Sequence, residues 1–149
     1  PGLALTTVLT GVRSEKIGGL WPRIRPFVDR ALSHAGGRYA PADVLAALLR
    51  AQMQLWVAIG GDGDDGIEAV LVTEIIDYPR RRRCNLFLSA GNALEACLEH
   101  LPTIETWARA QGCDAIEASG RPGWERVLPG FRRTHVMLEK DLSLVGDQS

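Results

Sequence analysis

Apolar positions along this chain change their spacing, and the changes mark out its elements. Ile17, Leu20, Trp21, Ile24, Val28, Ala31 and Leu32 recur three, four or seven residues apart, which places them on one face of an amphipathic helix. Ser14 stands where it would cap the start of that helix, and His34-Ala35-Gly36-Gly37 ends it. Pro22 and Pro26 each remove a backbone donor and crowd the preceding turn, so a kink or two short helices is expected. Pro41 fits the first turn of a second helix whose buried stripe is Val44, Leu45, Leu48 and Leu49.

From Gln54 the period drops to two. Gln54–Ile59 and Ile67–Tyr78 read as strands joined by Gly60-Gly61-Asp62-Gly63-Asp64-Asp65-Gly66, a run of turn formers that predicts an antiparallel hairpin. A third strand follows over Cys84–Leu88, with Cys84 alternating with Leu86 and Leu88 as core. Helical spacing then returns in Leu94, Cys97, Leu98, Leu101, Ile104 and Ala108. Asn92 and Glu95 have the form of a capping pair, Pro102 is expected to break or bend the helix, and Gly112 to stop it. Short β-branched Thr6–Thr10 at the start, Ala115–Ala118 and Thr134–Lys140 complete the strands, and Pro122–Leu128 is a short helix. The expected order is β-α-α-β-β-β-α-β-α-β, an α/β fold whose mixed sheet is antiparallel in the middle and flanked by helices. No repeat or linker divides it, so residues 1–142 are expected as one domain and 143–149 as a polar tail.

Composition narrows the classes. A chain of 149 residues, 46% hydrophobic and 23% charged, can bury a sizeable core without disulfides, and no run of about 18 apolar residues suggests a membrane span. Pro1–Thr6 lacks the form of a signal peptide, so a cytoplasmic setting is expected. A net charge of −1 gives no general attraction for nucleic acid, and nucleic acid is not an expected partner. Arg80-Arg81-Arg82-Arg83 could meet phosphates, or could serve as like charges that block edge pairing. Cys84, Cys97 and Cys113 show no paired spacing, and His34, His100 and His135 belong to no ligand motif, so no metal is expected. Asp62–Gly66 lacks a spacing residue of a calcium loop and reads as a turn.

The segment Ser89-Ala90-Gly91-Asn92-Ala93 lies between a strand and a helix start. Free backbone N–H groups there favour an anion, and Gly91 would let one approach closely; a plain strand-to-helix turn is the other reading.

With that segment in its place, the order of elements resembles the GNAT superfamily of N-acetyltransferases from about Thr6 to Leu142. Leu88-Ser89-Ala90-Gly91-Asn92-Ala93 matches the family's R/Q-x-x-G-x-G/A loop at Gly91 and Ala93, with Leu88 where Arg or Gln is usual. Gly123–Phe131 is similar to the family's short helix ending in Gly-Phe, with Arg126 where many members carry a tyrosine that protonates the leaving thiolate. The strings Leu101–Cys113, Gly120–Trp124 and Gly130-Phe131 are similar to GNAT-like proteins of tailed phages and prophages.

The resemblance implies an acyl-CoA-dependent N-acyltransferase that binds acetyl-CoA along Leu86, Leu88, Ser89, Ala90, Gly91, Asn92 and Ala93 and acts on an amine. The base would be a carboxylate on the central strands: Glu117 first, then Glu74, with Asp77 three positions on and facing the other way. A second reading, motivated by Leu88 and Arg126, is a non-catalytic component of a virion that self-associates or binds virion proteins.

Overall fold

Eight elements follow one another in the computed structural model: β1 (Val8–Val12), α1 (Ser14–Leu32), α2 (Pro41–Leu49), β2 (Gln54–Ile59), β3 (Ile67–Asp77), β4 (Arg82–Gly91), α3 (Ala93–Ala110) and β5 (Ala115–Ala118). The structure describes residues 8–33, 37–60, 66–91, 93–119 and 128–143. Contacts divide the chain into two compact units, residues 1–119 and 120–149. The first holds the sheet, whose strands lie in the order β1-β2-β3-β4-β5. Pairing is antiparallel from β1 to β4, and β5 joins β4 in parallel. The expected α/β class, with a mixed sheet antiparallel in its middle, is the observed one.

The register assigns the faces. Leu55, Val57, Val70, Val72 and Leu88 share one core with Ile17, Ile24, Val28 and Leu32 of α1 and Val44 and Leu48 of α2. Neighbouring positions turn Trp56, Leu71, Thr73, Cys84 and Leu86 to the opposite face. That face meets α3, where the Trp107 ring stands edge-on to Trp56 at 5.3 Å. Each fully buried Leu or Ile contributes roughly 1.5–3 kcal/mol by leaving water. Because helices cover both faces, Leu55–Ala58 and Ala69–Val72 are continuous buried runs and not alternating ones.

Buried among them, Thr73 uses its hydroxyl twice. It accepts from Trp56 Nε1 at 3.0 Å and donates to Gln54 Oε1 at 2.9 Å.

Three local expectations are corrected, namely two short helices in place of α1, a cap by Ser14 and a break of α3 at Pro102. Helix α1 is unbroken, because Pro22 and Pro26 lie on its exposed side, where water can serve the carbonyls they leave unpaired. Its N-cap is Arg13, with no side-chain cap bond, so Ser14 is the first helical residue. Helix α3 likewise runs unbroken through Pro102. It ends as expected at Gly112 (φ 83°), where Cys113 N–H donates to Ala108 C=O and Gly112 N–H to Arg109 C=O, both at 2.9 Å. The Asn92 cap, the Asp62–Asp65 turn and most of the Pro122–Leu128 helix lie outside the described residues.

In the second unit, Phe131 N–H donates to Leu128 C=O at 3.2 Å around Gly130 (φ 81°). Thr134–Lys140, expected as a last strand, has no strand pairing. Val136, Met137 and Leu138 are 65%, 70% and 89% exposed, so no ladder or core fixes an alternation there.

Candidate functional site

The register between β3 and β4 slips once. Val72 faces Leu88 while Thr73 faces Leu86, so Phe87 is an extra residue on β4. Such a bulge bends its strand and turns the residues on either side of it to opposite faces. Leu86 and Leu88 are accordingly both buried, one under α3 and the other under α1 and α2. Phe87 packs against the second of these cores, and its ring meets Tyr39 edge-on at 4.7 Å.

At the same point β4 parts from β5. The parallel ladder runs from Arg83–Ala115 to Leu86–Ala118 and stops. From Leu88 to Gly91, β4 pairs only with β3 among the described residues, and Phe87 is the bulged residue. Among the described residues no strand pairs with the other edge of this stretch, and backbone N–H and C=O groups along a strand edge suit a ligand.

Ser89, Ala90 and Gly91 are strand residues opposite Leu71, Val70 and Ala69. Most of the expected loop is thus strand, because the ladder carries the chain to Gly91 and Ala93 is the first residue of α3. The sequence reading makes Gly91 the point where an anion approaches closely; the structure gives the glycine another reason. At φ 76°, a β-carbon on Gly91 would overlap the Glu68 carbonyl oxygen and stand 2.9 Å from Phe27 Cε1. The glycine is required by close packing within the fold.

The carboxylate candidates separate clearly. Asp77 is exposed and its two oxygens accept from Arg82 Nη1 at 2.9 and 3.0 Å. Glu74 and Glu117 both flank Asn85, Glu74 across the β3–β4 ladder and Glu117 across the β4–β5 ladder. The three form one row on the α1–α2 face, with the glutamate α-carbons about 10 Å apart. Glu117 lies one pair before the ladder ends.

Tyr78, which sequence reasoning passed over, completes this row. Its hydroxyl donates to Glu117 Oε1 at 2.8 Å across 39 residues of sequence. That hydrogen bond, reinforced by the negative charge of Glu117, holds the exposed phenol above its ordinary pKa of 10.0. Nothing in the spacing along the chain marks Tyr78; only the parallel placement of β5 brings the two together.

The arginine run divides between turn and strand. Arg80 and Arg81 are exposed in the turn, and Tyr78 N–H donates to Arg81 C=O at 2.8 Å. Arg82 also donates from Nε to Gln111 C=O at 2.8 Å, tying the hairpin to the end of α3. Arg83 lies 2.8 Å from Asp114, an ion pair whose N–H is not aimed at the oxygen. Two of the four arginines, Arg82 and Arg83, therefore have partners within the fold. Among the described residues no His, Cys, Asp and Glu group could hold a metal, and no helix is long and apolar enough to cross a membrane.

No protein-family model matches the sequence, and no curated protein matches it. Solved structures do. A predicted acetyltransferase from Clostridium acetobutylicum, solved with acetyl-CoA, is 17% identical with a TM-score of 0.64, covering 92% of this chain and 97% of its own. An aminoglycoside acetyltransferase from an uncultured soil metagenomic sample, in complex with sisomicin, is 8% identical with a TM-score of 0.65 over 91% and 96%. An aminoglycoside N-acetyltransferase in complex with CoA is 12% identical with a TM-score of 0.61 over 95% and 99%. The chain has the fold of the GNAT acetyltransferases.

Proposed function

We propose that this chain is an acyl-CoA-dependent N-acyltransferase, with acetyl-CoA as donor and an amine as acceptor. The observation that carries the reading is the edge of β4 from Phe87 to Gly91, which has no strand partner among the described residues and opens two residues beyond the row that holds Glu117. The amide-bearing arm of the donor can hydrogen-bond to that edge as a strand would, and its diphosphate suits the N-terminal turn of α3 next to Gly91. Leu88, buried in the core, contributes only its backbone, and Leu86, buried and paired on both sides, lies outside the open edge. That acetyl-CoA and CoA occupy two structures of the same fold supports the choice of donor.

An amine reaches neutral water as the ammonium ion and must lose a proton before it attacks. Glu117 takes that proton, directly or through one water. The nitrogen lone pair then forms the amide bond as the carbon–sulfur bond breaks, and a second proton passes from nitrogen to the leaving sulfur. Glu74, about 10 Å away along the same row, provides charge for the approaching cation. A non-catalytic role in a virion rests on sequence similarity alone, and no feature of the described residues favours it.

Calorimetric titration with acetyl-CoA tests the reading, together with thiol release in the presence of a panel of primary amines. One-site binding is expected, and Glu117→Gln should keep it while turnover falls by about 10²–10⁴. A flat isotherm at millimolar acetyl-CoA overturns the proposal.

A further inference from the structure

A half-exposed glutamate on a short strand has many rotamers, and a base works only where one of its oxygens is held toward the proton it takes. Ala115–Ala118 is a four-residue strand, and among the described residues it pairs with β4. It can fix the backbone of Glu117 but does little for its side chain. What fixes the side chain is Tyr78. The end of the β3–β4 hairpin anchors this tyrosine, where Tyr78 N–H donates to Arg81 C=O at 2.8 Å and Arg81 N–H returns to Tyr78 C=O at 3.4 Å. From that turn the phenol reaches β5, two strands away in the sheet, and donates to one oxygen of Glu117 at 2.8 Å.

Among the described residues of the neighbouring strands, other charged groups near the carboxylate are engaged or have the wrong sign. Arg83, on the same face of β4, lies at ion-pair distance from Asp114, and Glu74 carries the same charge as Glu117. Cys84 faces the other side of the sheet.

We propose that Tyr78 is a positioning residue: its hydroxyl holds Oε1 of Glu117, leaving Oε2 presented to the acceptor amine at the point where β4 and β5 part. This rests on the reading of Glu117 as the base. In the transfer, the ammonium proton goes to Oε2 and from there to solvent. The amide bond forms as the carbon–sulfur bond breaks, and the second nitrogen proton goes to sulfur. Tyr78 keeps its own proton throughout and therefore contributes geometry and not acid.

Tyr78→Phe is the test, made in the full chain with acetyl-CoA and the best amine of the panel. The expected result is a fall in kcat of about tenfold with KM for acetyl-CoA unchanged, and no further fall when the change is made in Glu117→Gln. A structural role alone would not produce that split. Because Tyr39 and Tyr78 are the only tyrosines, phenolate absorbance also reads the contact without turnover. Glu117→Gln should lower one of the two titrations, and Tyr78→Phe should remove that same one. If acetyl-CoA binds and turns over but Tyr78→Phe leaves kcat unchanged, the positioning role is overturned and the transferase reading stands. If the parent binds no acetyl-CoA, both fall.

Discussion

Gly91 shows how the absence of a β-carbon can serve packing where a motif suggests ligand binding. Its positive φ and its contact with the Glu68 backbone leave no room for a side chain. Gly91→Ala should therefore cost roughly 2–5 kcal/mol, from left-handed backbone strain and overpacking together. Denaturant unfolding checks this, and a variant as stable as the parent would show that the end of β4 can shift. Sequence alone marked the position as special for the close approach of a ligand, and the structure gives it another reason, that only glycine fits among its neighbours. The sequence could not say which neighbour forbids the side chain, because Glu68 and Phe27 come from a strand and a helix elsewhere in the chain. Glu117 and Glu74 were legible in the same partial way. Strand parity separated Glu74 from Asp77, but the row through Asn85 depends on cross-strand register, which a linear pattern does not contain.

At the scale of elements, periodicity located every helix and strand of the first unit, and the errors lie in what proline and capping residues do. Pro22, Pro26 and Pro102 all sit inside unbroken helices. Local propensity treats each as a breaker, yet the buried faces of α1 and α3 hold the helices to the sheet, and packing on that scale overrides a lost hydrogen bond on the outside. The start of β4 was misjudged for a similar reason. The alternation of Cys84, Leu86 and Leu88 begins the strand at Cys84, but Asp77, Gln111 and Asp114 provide partners that extend it to Arg82 and Arg83. The exposed Thr134–Lys140 segment marks the opposite limit: its composition is strand-like, and no ladder among the described residues gives that composition anything to pair with.

For the molecule as a whole, stability should depend on alkaline pH. Burial pushes the Cys84 thiol from 9.0 up to about 12, and the Glu117 hydrogen bond raises Tyr78 in the same direction. Both groups hold their protons more tightly folded than unfolded. Their contribution is fully present below about pH 9 and is lost as pH rises through the window to about 12, because there the unfolded chain binds fewer protons. Denaturant midpoints measured at about pH 8 and about pH 11 should fall with pH, and Cys84→Ala should flatten the slope while lowering both values. A parent midpoint independent of pH across that range would overturn the assignment.

The slip at Phe87 also makes an unusual kind of variant informative. Leu86 and Leu88 already stand opposite adjacent residues of β3, so deleting Phe87 joins two halves of β4 that are in phase with their partner. Most deletions inside a central strand throw every later side chain onto the wrong face; this one leaves each where it is. What it removes is the bend at which β4 turns away from its parallel neighbour. The shortened chain should keep a cooperative unfolding transition, at a lower midpoint for the lost Phe87–Tyr39 contact, and calorimetry should find it blind to acetyl-CoA. One surplus residue then separates a closed sheet from a sheet with a mouth.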